Sequence, residues 1–451
     1  MEPIEAEGIP RRSERGASRL LARNAIGGLA LNLANVAITT VTTILLAQMM
    51  GAAGFGVYSF VIATVTLLGI PAVLGIDRLV IRDIAVYSST AVYGLAHGLL
   101  LRAQQMVLIL SVVLALGTVV AAWIVAGGTP STGLIAFWLG VVGLPFLALG
   151  RIVQGGLMGL HDILLGQAPE YILRPAVLLA LVVVVAAAGA AIDPAGAVFF
   201  YSLSIAVACL VSVALLWVRT PREVREARPA YATRPWLMSA ISLGFLSGSS
   251  VLNSQIGVAL LGAMSGSEAA GLYAVAQRGA LLVAFPLAAV SAAIGPMAAR
   301  LWAAGERQQL QHLVTLGARG ALLAALPLAF AYLAAGRQIL DLFFGGEFAG
   351  ANAALAILTV GQLVNAATGT VATLLVMTGH QRRAALAITA GALINLTVSG
   401  VLIPTLDTVG AALGAVASLT LANVVLVIIA YRTLGIQSIA FGPGAFRRRP
   451  T

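Results

Sequence analysis

The sequence predicts an all-α, polytopic membrane protein with about twelve transmembrane helices arranged as two parallel six-helix repeats. Three observations carry that prediction. The 451 residues are 60% hydrophobic and only 9% charged, with a mean hydropathy of +1.00, whereas soluble domains carry roughly 25% charged residues. Landmarks recur at a nearly constant interval: Gly56-Val57-Tyr58 returns as Gly271-Leu272-Tyr273 and Pro71 as Pro286, each 215 positions on, followed by Arg102 and Arg319 at 217 and His161 and His380 at 219. Charged residues cluster in the segments between apolar runs, and basic and acidic segments alternate along the chain.

A spanning helix needs about 20 apolar residues, and the apolar runs are continuous and do not alternate, which excludes a strand barrel. They give spans at roughly 24–50, 56–76, 102–126, 132–159, 171–191 and 195–218, then 236–262, 269–298, 313–336, 351–378, 384–404 and 409–431. Residues 1–23 hold five arginines without the apolar core of a signal peptide and read as a cytoplasmic tail. The first lobe is then 24–218 and the second 236–431. Between them 219–235, with Pro221, Pro229 and Pro235, is too polar to span and reads as a cytoplasmic linker, and 432–451 is a basic tail. Two further segments, Asp77–Gly98 and Arg300–His312, look like amphipathic helices on the membrane surface, one in each repeat.

With the N-terminus in the cytoplasm, the inward segments carry Arg78, Arg82, Arg174, the Arg219–Arg234 cluster, Arg300, Arg307, Arg382 and Arg383. The outward ones carry Asp193, Glu268, Asp341, Glu347 and Asp407 against Arg337. This bias fixes the orientation, with both termini cytoplasmic. Trp123 and Trp138 at outer ends, and Trp217, Trp236 and Trp302 at inner ends, form the interfacial belts. Six spans per repeat insert both halves the same way up, so the pseudo-axis runs along the membrane normal, and a substrate site lies between the repeats.

The formal charge of +10 does not indicate nucleic acid, because the arginines are scattered with no basic stripe or aromatic platform. Cys209 is the single cysteine, so no internal disulfide forms. The histidines lack metal-site spacing, and there is no nucleophile constellation or phosphate-binding glycine loop. The expectation is a transporter and not an enzyme, without cofactor or metal.

Arg278 is the most telling residue. It lies about ten residues into its span, hence about 15 Å deep, where an ionised side chain faces a cavity or a partner. Its guanidinium fork suits phosphate. Arg102 and Arg319, at matching places in the third and ninth spans, and Arg23 and Arg151 near inner ends, are further headgroup candidates, with snorkelling as the alternative. The amides Asn32, Asn35, Asn253, Gln255, Gln277, Gln362 and Asn365 are candidates to line a polar cavity and contact sugar hydroxyls, or else to bond between helices. Pro71 and Pro286 are candidate hinges. No acid falls deep in a span, and Glu170 falls at the inner face. A cation site or an acid-based proton relay would need a buried carboxylate.

The stretches RNAIGGLALNLANVAITTVTTILLAQMMGAAGFGVYSF and GSEAAGLYAVAQRGALLVAFPLAAVSAAIGPMAARLWAAGE, each with its Gly-X-Tyr, resemble polysaccharide-transporter proteins of the multidrug/oligosaccharidyl-lipid/polysaccharide flippase superfamily. The likeness covers roughly 24–432. It implies the superfamily's fold, two six-helix lobes around a V-shaped cavity that opens alternately to each side, and similarity to Wzx-type flippases. Those move undecaprenyl-pyrophosphate-linked oligosaccharide to the outer leaflet, with cavity cations handling the pyrophosphate; Arg278 is the residue here that fills this role. Lipid-II-type relatives usually have fourteen spans, and multidrug-extrusion relatives place acids in spans. Both departures favour the oligosaccharide branch. The resemblance implies a bacterial inner-membrane protein serving surface polysaccharide such as O-antigen or lipopolysaccharide. Its partners would be lipid-linked oligosaccharide, membrane lipids and other polysaccharide assembly proteins, with a proton or sodium ion for coupling. The alternative is a multidrug or metabolite exporter working by cation antiport.

Overall fold

The computed structural model describes residues 12–127, 129 and 131–441, and the side chains of 12–26, 242 and 246 fall outside that description. Among the described residues there is no strand. In chain order the first repeat comprises α1 (Arg12–Val73), α2 (Ile76–Ser89), α3 (Tyr93–Val125), α4 (Thr132–Val142), α5 (Leu144–Gly159), α6 (Ile163–Ala168), a π-turn (Pro169–Leu173), α7 (Arg174–Ala187) and α8 (Pro194–Arg219). The short α9 (Arg222–Glu226) leads into the second repeat: α10 (Thr233–Met264), α11 (Ser267–Ala303), α12 (Arg307–Phe344), a 3-10 turn (Gly346–Ala351), α13 (Asn352–Thr368), α14 (Val371–Met377), α15 (Gln381–Leu406) and α16 (Thr408–Leu434).

Among the described residues ten helical stretches are long and apolar enough to cross a membrane, and α10, bent by 41°, is an eleventh. One of the ten, α1, carries two passes. Its backbone leaves helical geometry at Gly51 (φ 67°, ψ 179°). Thr39 and Ile62 on either side of that break line the same cavity, although 23 residues of straight helix would hold them about 35 Å apart. The chain therefore doubles back at Gly51, and the tally reaches the twelve passes expected.

The duplication is written into the turns. Left-handed residues occur at Gly51, Ala91, Gly127, His161 and Gly189 in the first repeat, and at Gly266, Gly305, Gly345, Gly379 and Asp407 in the second. The offsets run from 214 to 218, so each reversal of direction is reproduced. The repeats differ after their second pass. Leu74 and Gly75 (φ 49° and 76°) break the first one there and release α2 as a separate amphipathic helix. The second has no such break: α11 continues to Ala303, and the expected surface helix at Arg300–His312 is instead the end of α11, a short turn and the start of α12. Pro71 and Pro286 sit inside helices that keep helical dihedrals; the interior breaks are at Gly51 and Ala335.

At the Gly51 end the lobes are sealed. A Cβ on Gly56 would collide with the carbonyl oxygen of Ser267, and one on Gly271 with that of Ala52. The paired Gly-X-Tyr motifs are thus the two sides of one backbone crossing, which only glycine permits. Phe55 and Phe348 stack edge-on at 6.3 Å beside it. Glu347 accepts the amide of Ala52 at 2.9 Å, and Gln48 donates to the Phe343 carbonyl at 2.8 Å.

Two matched arginines hold the segments that trail each repeat. Arg102 lies over the Tyr231 ring of the linker at 6.0 Å, while Ala230 donates to Gly94 and His97 bonds the Ala227 carbonyl. In the second repeat Arg319 donates to the Ala440 carbonyl at 2.7 Å, and Gln311 pairs with both the amide and the carbonyl of Gln437. Gly94 and Gln311, like Arg102 and Arg319, are 217 positions apart.

Candidate functional site

Between the repeats lies a cavity of about 360 Å³, within the usual range for small-ligand sites. Arg278 lines it from α11, and Arg174 lines it from α7 of the other lobe. Arg278 is exposed, but to the cavity, since it stands in the twelfth position of α11 deep between the lobes. Tyr58 and Tyr201 line the cavity beside the two arginines. Among the described residues no carboxylate lines the cavity. Two like charges facing one cavity form a site that an anion would stabilise.

Arg174 was expected in an inward loop and Glu170 at the inner face, and the structure corrects both. Their span begins at Ile163, two turns earlier than the apolar run, and extends to Ala187. Glu170 is therefore its eighth residue, and it is the one described Asp or Glu more than a turn from either end of a span. The expected span boundary at 171 fails here, because the helix already runs through Glu170. A π-turn produces the local geometry: the Arg174 amide donates to Pro169, five residues back. Such bulges frequently mark functional sites. Pro175 has no amide to offer the Tyr171 carbonyl, and Asn35 of α1 donates to it instead at 3.0 Å. The outcome directs Arg174 into the cavity, with its ring-stacking partner Tyr201 at 5.7 Å and Glu170 behind it at 2.8 Å.

The second lobe supplies neutral donors. Asn423 donates to Asn365 at 2.9 Å and Asn365 to Gln362 at 3.2 Å, leaving the Gln362 amide nitrogen to face the cavity. Asn395 and Ser418 both donate to the Asn253 side-chain oxygen, at 2.8 and 3.0 Å, and Ser399 donates to Asn395 at 3.0 Å. Asn253 then also presents its amide nitrogen. Asn395, Ser399 and Ser418 are fully buried, and a satisfied buried chain of this kind fixes the orientation of its terminal group. Gln277 instead donates to the Ser254 carbonyl at 2.9 Å. On α1, Thr39, Thr42 and Thr43 donate to their own helix four residues back, so they offer the cavity only acceptors.

Of the residues singled out from sequence, Arg278, Asn253, Gln255, Gln277 and Gln362 meet in the cavity, and Asn365 stands one bond behind. Asn35 braces the π-turn, and Asn32 is half-buried on α1 outside the cavity. Arg102 and Arg319 lie outside the cavity, each against a trailing segment that folds back over its helix. Arg151 lies in a crevice at the Gly75–Gly244 contact, with Asp77. The side chain of Arg23 lies outside the described residues. Among the described residues no group of three or more His, Cys, Asp or Glu could hold a metal. Sequence reasoning missed Arg174, Glu170, Tyr58, Tyr201 and the Asn395–Ser399–Ser418 chain. The Glu170–Arg174 spacing between Pro169 and Pro175 was the available signal.

The family model described as polysaccharide biosynthesis protein matches residues 21–302. The chain belongs to that family. A second model, MatE, matches residues 235–401, which places both halves in the multidrug/oligosaccharidyl-lipid/polysaccharide flippase superfamily. The fold agrees with that of solved transporters. A multidrug resistance MATE family transporter of the superfamily, described in an inward-facing conformation, superposes with a TM-score of 0.70 at 15% identity, covering 91% of this chain and 98% of the other. A MATE protein in complex with MaL6 gives 0.62 at 16%, covering 92% and 96%. A superfamily transporter from Pyrococcus furiosus, described as having a binding pocket of reversed polarity that suggests a different function, gives 0.61 at 16%, covering 92% and 95%. No curated protein matches. This polysaccharide biosynthesis family member is thus a multi-pass membrane transporter of that superfamily.

Proposed function

We propose that this chain flips a lipid-linked oligosaccharide of the undecaprenyl-pyrophosphate type across a bacterial inner membrane, for surface polysaccharide assembly. One observation carries the reading: arginines from opposite lobes, Arg174 and Arg278, converge on a polar cavity that no carboxylate among the described residues lines. A diphosphate offers the paired anionic oxygens that two guanidinium forks bind. The amide nitrogens of Asn253 and Gln362 suit sugar oxygens. The cavity accommodates the diphosphate and the first sugars, and the rest of the glycan extends toward the arginine-rich end. With that end cytoplasmic by charge bias, the sealed Gly51 end is periplasmic, and the headgroup enters from inside. The lobes then rock about the cavity, and no covalent step is required. Arg278→Ala and Arg174→Ala should each leave the protein in the membrane yet abolish transfer of a fluorescent lipid-linked sugar in reconstituted vesicles, with Arg278→Lys partly active. Full transfer by both alanine variants refutes the headgroup role.

A second reading, export of organic cations by cation antiport, draws on Glu170, a carboxylate within a span. Glu170 is paired with Arg174 and borders a different crevice, so the central cavity presents cations the wrong sign of charge.

A further inference from the structure

Glu170 is unexplained by a cavity that only has to hold an anion. It is an acid inside a span, bonded to one of the two arginines that line the cavity, and it borders a different crevice one turn along the same helix. That crevice is formed with α5 and α8, where the polar neighbours are Gln154, Cys209 and Ser212. The charged and titratable groups facing it among the described residues are Arg174 on its own helix and the Cys209 thiol on α8; α5 contributes only the neutral Gln154, and α1 only Asn35, bonded one residue along at Tyr171. The Glu170 side chain is 42% exposed.

Arg174 cannot serve two anions equally. Its guanidinium holds Glu170 at 2.8 Å while its side chain borders the cavity. An anion drawn between Arg174 and Arg278 pulls that guanidinium forward. The carboxylate left behind is then an unpaired charge within a membrane span, which is expensive. Taking up a proton removes the charge. We propose that Glu170 is a proton site linked to the cavity: it and the bound anion compete for Arg174, and the carboxylate is protonated when it loses. This rests on the reading of the cavity as an anion site. By reciprocity the linkage works in both directions. Protonating Glu170 frees Arg174 and tightens anion binding, and removing that proton weakens it. A proton thus accompanies each loaded headgroup, and release of one favours release of the other.

The test uses the full-length protein in detergent and farnesyl diphosphate as the probe, by titration calorimetry in two buffers of different ionisation enthalpy. Wild type should take up close to one proton more than Glu170→Gln, a difference that cancels any proton exchanged by the diphosphate itself. Its affinity should fall up to tenfold per pH unit where Glu170 is ionised. Glu170→Gln should bind at least as tightly as wild type, with no such slope. Arg278→Ala should bind more weakly yet keep the proton uptake, and Arg174→Ala should lose both. Equal proton uptake by wild type and Glu170→Gln overturns the linkage even if binding is strong. Wild-type affinity in both arginine variants, or no binding to wild type, overturns the anion cavity itself and the linkage with it.

Discussion

Replacing Gly56 with alanine tests whether the crossing at the Gly51 end governs opening of that side. The added Cβ would fall on the Ser267 carbonyl, and the same change at Gly271 would fall on the Ala52 carbonyl. Both obstacles are backbone, so no side chain can rotate away and the two helices must separate. Overpacking of this kind destabilises by about 1–3 kcal/mol. The strain exists only while the crossing is closed, so it shifts the balance toward conformations open at the Gly51 end by about 5- to 150-fold. A cysteine placed at Ser59, which lines the cavity a turn beyond the crossing, reports the shift through its labelling rate with an impermeant maleimide added on the Gly51 side; the native Cys209 is buried. Gly56→Ala and Gly271→Ala should each accelerate labelling by that factor, and the double variant by less than the product, because both disturb one contact. Unchanged labelling in both single variants would refute the reasoning.

Glu347 caps the helix that restarts after Gly51, and a charge-assisted bond at a helix N-terminus contributes about 1 kcal/mol. Glu347→Ala should therefore raise the same labelling rate by about fivefold, and labelling at the wild-type rate would remove Glu347 from the seal. Asn395→Ala would leave Asn253 without its principal donor, at a cost of about 1–3 kcal/mol. Its thermal unfolding in detergent should come several degrees earlier and its sugar transfer should fall, whereas wild-type transfer would show that the orientation of Asn253 is unimportant.

The twelve passes, the duplication and the depth of Arg278 were legible because each is a one-dimensional property. Apolar run length reports spans, residue offsets report repeats, and distance along a helix from a charged end reports depth. Glu170 and Arg174 were misplaced for the same reason. The span read from the sequence starts at 171, between the two residues, but the helix begins at Ile163 and carries them as a pair bonded at 2.8 Å. The contacts of Arg102 and Arg319 were not legible, because their partners, Tyr231 and the Ala440 carbonyl, are more than a hundred residues away along the chain.

The sequence by itself determined that this chain lives in a membrane, that it is built twice from one unit, and that its arginines collect at one end. Those follow from composition and periodicity, which lipid reads directly through the energy of burying apolar helix. Only the tertiary structure decided which charges meet. It made Gly56 and Gly271 two sides of one crossing, directed Arg174 through a π-turn toward Arg278, and oriented two amide chains at the space between them. Convergence of that kind depends on how twelve passes pack around a pseudo-axis, a relation between distant residues that no local pattern encodes.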